Sequence, residues 1–214
     1  MNLLIIGIVI FSIILGPIRI IQKYNKLTYT ENTFSFLTLF VIGICSLLFI
    51  AEPNIYPYLH TDYISIAFLT GFLYLTFSYF WSSKFVLEKH YKYETVPEVH
   101  HEMLSSGPRY TSVKFLEVLF QDVVALVMVL GLYEMQFSII SISILFSTLV
   151  FILHIGTPFI FGKYYGNYFL FSGTMIAFAI PWLLLNATAG LYVLISVHLM
   201  VYVLMLLGSR TLHK

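Results

Sequence analysis

The sequence predicts an all-α, polytopic membrane helix bundle of about seven transmembrane helices, built as one domain over residues 1–214. Three observations predict it. The 214 residues are 59% hydrophobic and 10% charged, with a mean hydropathy of +0.91, whereas a soluble domain carries roughly 25% charged residues. Seven apolar stretches follow one another, each near the roughly 20 residues needed to cross about 30 Å of hydrocarbon. All 11 Lys and Arg fall in alternate connections between those stretches. The spans must be helices, because an open strand would leave its backbone polar groups unsatisfied in lipid.

The first span runs over Asn2–Gly16 and continues through Pro17 to Ile21. It has no basic region before it and no small-x-small cleavage site after it, so it reads as a retained span rather than a signal peptide. Ser35–Ala51 is the second span and a short one; Tyr63–Trp81 is the third. A polar segment, Ser82–Ser112, precedes the fourth span at Val113–Leu132. Phe137–Phe159 is the fifth, with a helix break expected at Gly156-Thr157-Pro158. Asn167–Leu185, holding Pro181, is the sixth, and Ala189–Leu207 the seventh.

Arg19, Lys23 and Lys26 lie in the first connection. Lys84, Lys89, Lys92 and Arg109 lie in the third, with Lys114 at the start of the helix that follows it, Lys163 lies in the fifth, and Arg210 and Lys214 in the tail. The opposite connections carry none. The positive-inside rule then sets the N-terminus outside and the C-terminus in the cytoplasm. The expected setting is a bacterial inner membrane, with the lipid bilayer as the first partner. A net charge of +1 gives no case for nucleic acid. The single cysteine, Cys45, has no partner for an internal disulfide. Sixteen Tyr and twenty Phe suit lipid-facing packing and interfacial belts.

The Ser82–Ser112 segment, read as cytoplasmic, holds His90, His100 and His101 with Glu88, Glu94, Glu98 and Glu102. His101-Glu102 begins like the zinc-protease pattern H-E-x-x-H, but position 105 is Ser105, so the pattern fails. A solvated loop or surface helix accounts for this segment.

The fourth span is the awkward one. Its first third carries Glu117, Gln121 and Asp122. Ionisable groups at membrane depth are costly, and they face a protein interior or a wet cavity. Glu117 and Gln121 are four residues apart and share a helical face; Asp122 lies about 100° further round. His154 in the fifth span and His198 in the seventh are the other groups that titrate near neutral pH inside spans. At about 1.5 Å per residue, Glu117 lies roughly 5 Å and Gln121 roughly 10 Å below Lys114. His154 lies roughly 8–13 Å below Lys163, and His198 roughly 15–18 Å below Arg210. Three spans thus set polar groups in the same half of the bilayer.

Such a set suits hydrolysis. A carboxylate in an apolar site has a raised pKa and acts as a general base toward water. A histidine donates to a developing oxyanion or ligates a metal. One Glu and two His also make a three-ligand zinc site with an open position, so zinc at Glu117, His154 and His198 stays open beside a cofactor-free site. The plainer alternative is that each histidine is packed and hydrogen-bonded, and that Glu117 bends outward to the interface. Asp122 is left to pair with Lys114 or a backbone donor.

The residues resemble a family of membrane proteases. The CAAX-processing and bacteriocin-processing proteases carry E-E-x-x-x-R, F-x-x-x-H and H-x-x-x-N on successive membrane helices. Leu116-Glu117-Val118-Leu119-Phe120-Gln121 is similar to the first, Phe151-Ile152-Leu153-His154 to the second, and His198-Leu199-Met200-Val201-Tyr202 to the third. The order and gaps are also similar, and the likeness covers Val113 to the C-terminus, a little under half the chain. The chain departs from the pattern at Leu116 for the first glutamate, Gln121 for the arginine, Val150 for the phenylalanine and Tyr202 for the asparagine. The resemblance implies a glutamate-type intramembrane endopeptidase, with residues 113–214 as its core and a membrane-associated peptide or protein as substrate. It implies that Glu117 activates water, that His154 positions the water, and that His198 lines the oxyanion site. Gln121 and Tyr202 are the supporting residues. Gln121 in place of arginine removes a fixed charge that would hold the carboxylate.

Two rival readings stand beside it. One is a non-catalytic polytopic protein, a scaffold or partner-binding subunit, with the small residues of Phe171–Ala179 as a helix-packing face. The other is a proton-coupled transporter, since intramembrane Glu, Asp and His relay protons; the absence of an internal repeat speaks against it.

Overall fold

A computed structural model describes residues 2–25, 28–59, 108–161 and 163–211, with positions 63, 65, 69, 71–74 and 76 between them. The elements are α1 (Leu3–Asn25), α2 (Thr33–Ile55), α3 (Pro108–Glu134), α4 (Ile139–His154), α5 (Thr157–Phe161), α6 (Lys163–Asn186) and α7 (Gly190–Thr211). A single 3₁₀ turn, Tyr56–Tyr58, follows α2. Five stretches are long and apolar enough to cross a membrane: Leu3–Gln22, Thr33–Tyr58, Pro108–Glu134, Ile139–Phe159 and Phe169–Asn186. Ile13, Phe34, Phe49, Phe159, Met175 and Trp182 are exposed on the outside of the bundle. So much bare apolar surface fits lipid as its solvent. The chain is a multi-pass membrane protein, all-α among the described residues.

The elements begin and end near the expected places, and the differences have local causes. α1 runs on to Asn25, with Pro17 inside it. At its start the Asn2 side chain accepts the Leu4 N–H at 2.9 Å, an N-cap bond. α3 starts at Pro108 rather than Val113, because proline at the first helical position lacks only an N–H that would be orphaned anyway. α4 is capped by Ser138, whose hydroxyl accepts the Ser141 N–H at 3.2 Å. The expected break is present: α4 stops at His154, and the Thr157 hydroxyl donates to the His154 carbonyl at 2.8 Å. α6 starts at Lys163, one turn before Asn167. Most of the third span, and residues 82–107, lie outside the described residues.

The bundle is built around α3. In its apolar window 78% of residues are buried, against 17% to 28% in the other four spans. This explains its sequence: a helix apolar on every side must be covered on every side. α1 and α2 pack along it, α4 and α6 pair with each other beside it, and α7 packs against α3 and α6. Two glycines set how closely the helices approach. A methyl group built on Gly131 of α3 would lie 2.2 Å from the Leu4 backbone nitrogen of α1. One built on Gly43 of α2 would lie 2.7 Å from the Phe120 ring of α3.

Candidate functional site

The polar face of α3 opens into a cavity of 480 Å³. Glu117, Gln121 and Asp122 from α3 line it, together with His154 from α4, and His198 and Tyr202 from α7. The five predicted site residues, and Asp122, therefore line one cavity. The rest of the lining is largely apolar, with Phe11 and Leu15 of α1, Phe146 of α4 and Ile176 of α6. Gly16, Gly156 and Gly173 also line it, and none has a neighbouring atom within 4 Å of where a Cβ would stand. The open space thus exists partly because three side chains are missing. Gly173 accordingly faces the cavity rather than forming a helix-packing contact.

Two polar clusters occupy this cavity. The first is centred on Glu117, which is 0% exposed. Its Oε1 accepts from the Arg19 guanidinium of α1 and from Gln121 Nε2 at 3.0 Å. Its Oε2 accepts from the Tyr29 hydroxyl at 2.7 Å and from Lys114 Nζ at 2.9 Å. Four donors fill the four lone-pair positions of a carboxylate. Arg19 is held in turn by Gln22 Oε1 at 2.8 Å. Tyr29, in the link between α1 and α2, is 2% exposed and packs edge-on against Phe36. Burial pushes its phenol pKa well above the ordinary range, against the pull of Arg19, so it stays a proton donor to Glu117.

In the sequence Arg19 reads only as a topology-setting charge, and Lys114 as that and as a partner for Asp122. Arg19 brings a guanidinium to Glu117 from another helix. The signal was weak but present: Arg19 precedes the other basic residues of its connection and lies within reach of an apolar helix. Tyr29 gave no signal, since a tyrosine in a short link is unremarkable.

The second cluster is Asp122 and His198. His198 Nδ1–H donates to Asp122 Oδ1 at 2.9 Å, joining α3 to α7. Neither Lys114 nor a backbone donor takes that place; Lys114 goes to Glu117. The His198 ring stacks on Tyr202, with centroids 5.7 Å apart and planes at 20°. Lys114 Nζ sits 4.5 Å from the centre of that same Tyr202 ring, a cation–π contact that links the clusters. His154 stands apart from both, with Nδ1–H donating to the Val150 carbonyl at 2.8 Å and Phe11 beside its ring at 6.0 Å.

Among the described residues no three His, Cys, Asp or Glu side chains are grouped to hold a metal ion. Glu117 gives both oxygens to Arg19, Lys114, Tyr29 and Gln121 rather than to a centre shared with the histidines. Comparison with protein-family models, with curated proteins and with solved structures finds no match to this chain.

Proposed function

We propose that this chain is a divergent intramembrane endopeptidase, acting on a peptide bond of a membrane-associated substrate. One observation carries the reading: groups from three helices, Glu117, His154 and His198, line one cavity whose other walls are mostly apolar. Hydrolysis inside a membrane needs such a compartment, because water and an extended peptide must meet away from lipid. Its volume lies in the range of about 300–1,000 Å³ usual for ligand sites. The three missing side chains at Gly16, Gly156 and Gly173 leave room for a substrate segment. The resemblance gives water activation to Glu117. With four donors on its carboxylate, its part here is a fixed negative charge that gathers Arg19, Lys114, Tyr29 and Gln121 at one end of the cavity. The positive-inside distribution turns that end toward the cytoplasm, with the N-terminus outside. A reporter fused at either terminus checks the orientation.

The saturated Glu117 cluster favours a second reading, in which it is a structural knot in a non-catalytic scaffold. Two sets of variants separate the readings, expressed with a tagged membrane substrate. Glu117→Gln and His198→Ala abolish processing in the enzyme. Gly173→Leu fills the cavity and abolishes it too, while leaving the bundle folded. In a scaffold, Gly173→Leu and His198→Ala leave function intact. Processing that survives all three changes removes the peptidase from consideration.

A further inference from the structure

Of the two carboxylates that line the cavity among the described residues, Glu117 and Asp122, Asp122 is the one to which the motif gives no part. We infer that it is a positioning residue. It holds His198 as the Nδ1–H tautomer, so that Nε2 is the proton acceptor of the hydrolytic step. The inference rests on the peptidase reading above and deepens it.

Four observations support it. The 2.9 Å bond from His198 Nδ1 to Asp122 Oδ1 joins two helices, so it sets ring orientation as well as tautomer. Tyr202 stacks on the ring and restricts its rotation. Asp122 is 3% exposed and its Oδ2 has no hydrogen-bond partner among the described residues. A buried acceptor left open calls for a functional explanation, and a carboxylate that must stabilise an imidazolium supplies one. Last, the His198 side chain is 27% exposed and lines the cavity, so its ring borders the space a reactant would fill. Glu117, with all its lone pairs engaged, offers no comparable acceptor.

The chemistry follows from the tautomer. A neutral imidazole with its hydrogen on Nδ1 has a lone pair on Nε2. As the water oxygen bonds to the substrate carbonyl carbon, one water proton passes to Nε2. Asp122 stabilises the imidazolium without taking the proton. As the C–N bond breaks, Nε2 returns that proton to the departing amine nitrogen. The second water proton leaves the new carboxyl group to solvent. His198 is thus base and then acid, rather than an oxyanion donor throughout.

The test uses the full chain, labelled with ¹⁵N-histidine and reconstituted in lipid nanodiscs. The His198 signals are assigned from the His198→Gln variant. Wild type shows a protonated Nδ1 and an unprotonated Nε2. Asp122→Asn, which keeps the shape but offers an N–H in place of an oxygen, shifts His198 toward the opposite tautomer and leaves the His154 signals in place. The same samples are given a lipid-anchored fluorogenic peptide. Asp122→Asn lowers cleavage by about 10³-fold or more, and Asp122→Glu restores part of it. An unchanged His198 spectrum in Asp122→Asn overturns the inference whatever the cleavage rate. So does a shifted spectrum with cleavage intact. If wild type cuts no peptide, the peptidase reading falls, while the nitrogen spectrum still upholds or overturns Asp122 as the group that orients His198.

Discussion

A carboxylate with no exposure survives in a bilayer only if its charge is answered on every side. Glu117 meets that condition with two cations and two neutral donors. The penalties for removing them should therefore be unequal. Arg19→Leu leaves a buried charge short of its main partner and should cost about 3–5 kcal/mol. Replacing Arg19, Lys114 and Glu117 together by leucine should cost less than Arg19→Leu alone, because no charge of the cluster is then stranded. Reversible unfolding of the purified protein in mixed micelles measures both. Tyr29 adds a pH signature. Its phenol pKa is raised in the folded protein, so the folded state keeps a proton that the unfolded chain loses above about pH 10. The stabilisation from this bond is complete below that pH and is lost as pH rises through the folded value. Tyr29→Phe should lower stability near neutral pH and flatten this alkaline decline, read from unfolding midpoints across the alkaline range.

At the scale of elements, helix approach is set by what glycine omits. Gly131 faces the backbone of α1 and Gly43 faces a side chain of α3. A backbone cannot give way without moving its whole helix, whereas the Phe120 ring can rotate. Gly131→Ala should therefore destabilise by clearly more than Gly43→Ala, against the typical overpacking cost of about 1–3 kcal/mol. Paired thermal melts of the two variants decide it. The described spans are legible because each is a largely apolar run closed by Pro, Gly or a polar residue. The α4 end is the clearest case: Gly156-Thr157-Pro158 announces a break, and the break leaves His154 at the helix terminus. The start of α3 was placed five residues late, because Tyr110, Thr111 and Ser112 look like loop residues until Pro108 is read as a helix start.

At the scale of the molecule, the core of the protein is one helix rather than a layer. Losses inside α3 should then outweigh losses on the outer helices. Leu126→Ala, at a position with 0% exposure, should cost about 2–5 kcal/mol. Met175→Leu, at a position 78% exposed, should stay within about 0.5 kcal/mol. The same unfolding assay compares them, and equal effects would mean that α3 is not the central post.

Membrane residence, helical class and the approximate ends of the described spans were determined by the sequence alone. The bilayer makes each segment satisfy its own backbone hydrogen bonds, so apolar length and punctuation along the chain suffice to read them. Spacing also singled out Glu117, His154 and His198, since so few titratable groups lie inside spans. Their partners were decided only by tertiary structure. Arg19 reaches Glu117 across 98 positions and His198 reaches Asp122 across 76. Those pairings depend on how far each helix is rotated and how it crosses α3. Rotation and crossing arise from packing between helices, and no periodicity within one helix encodes them.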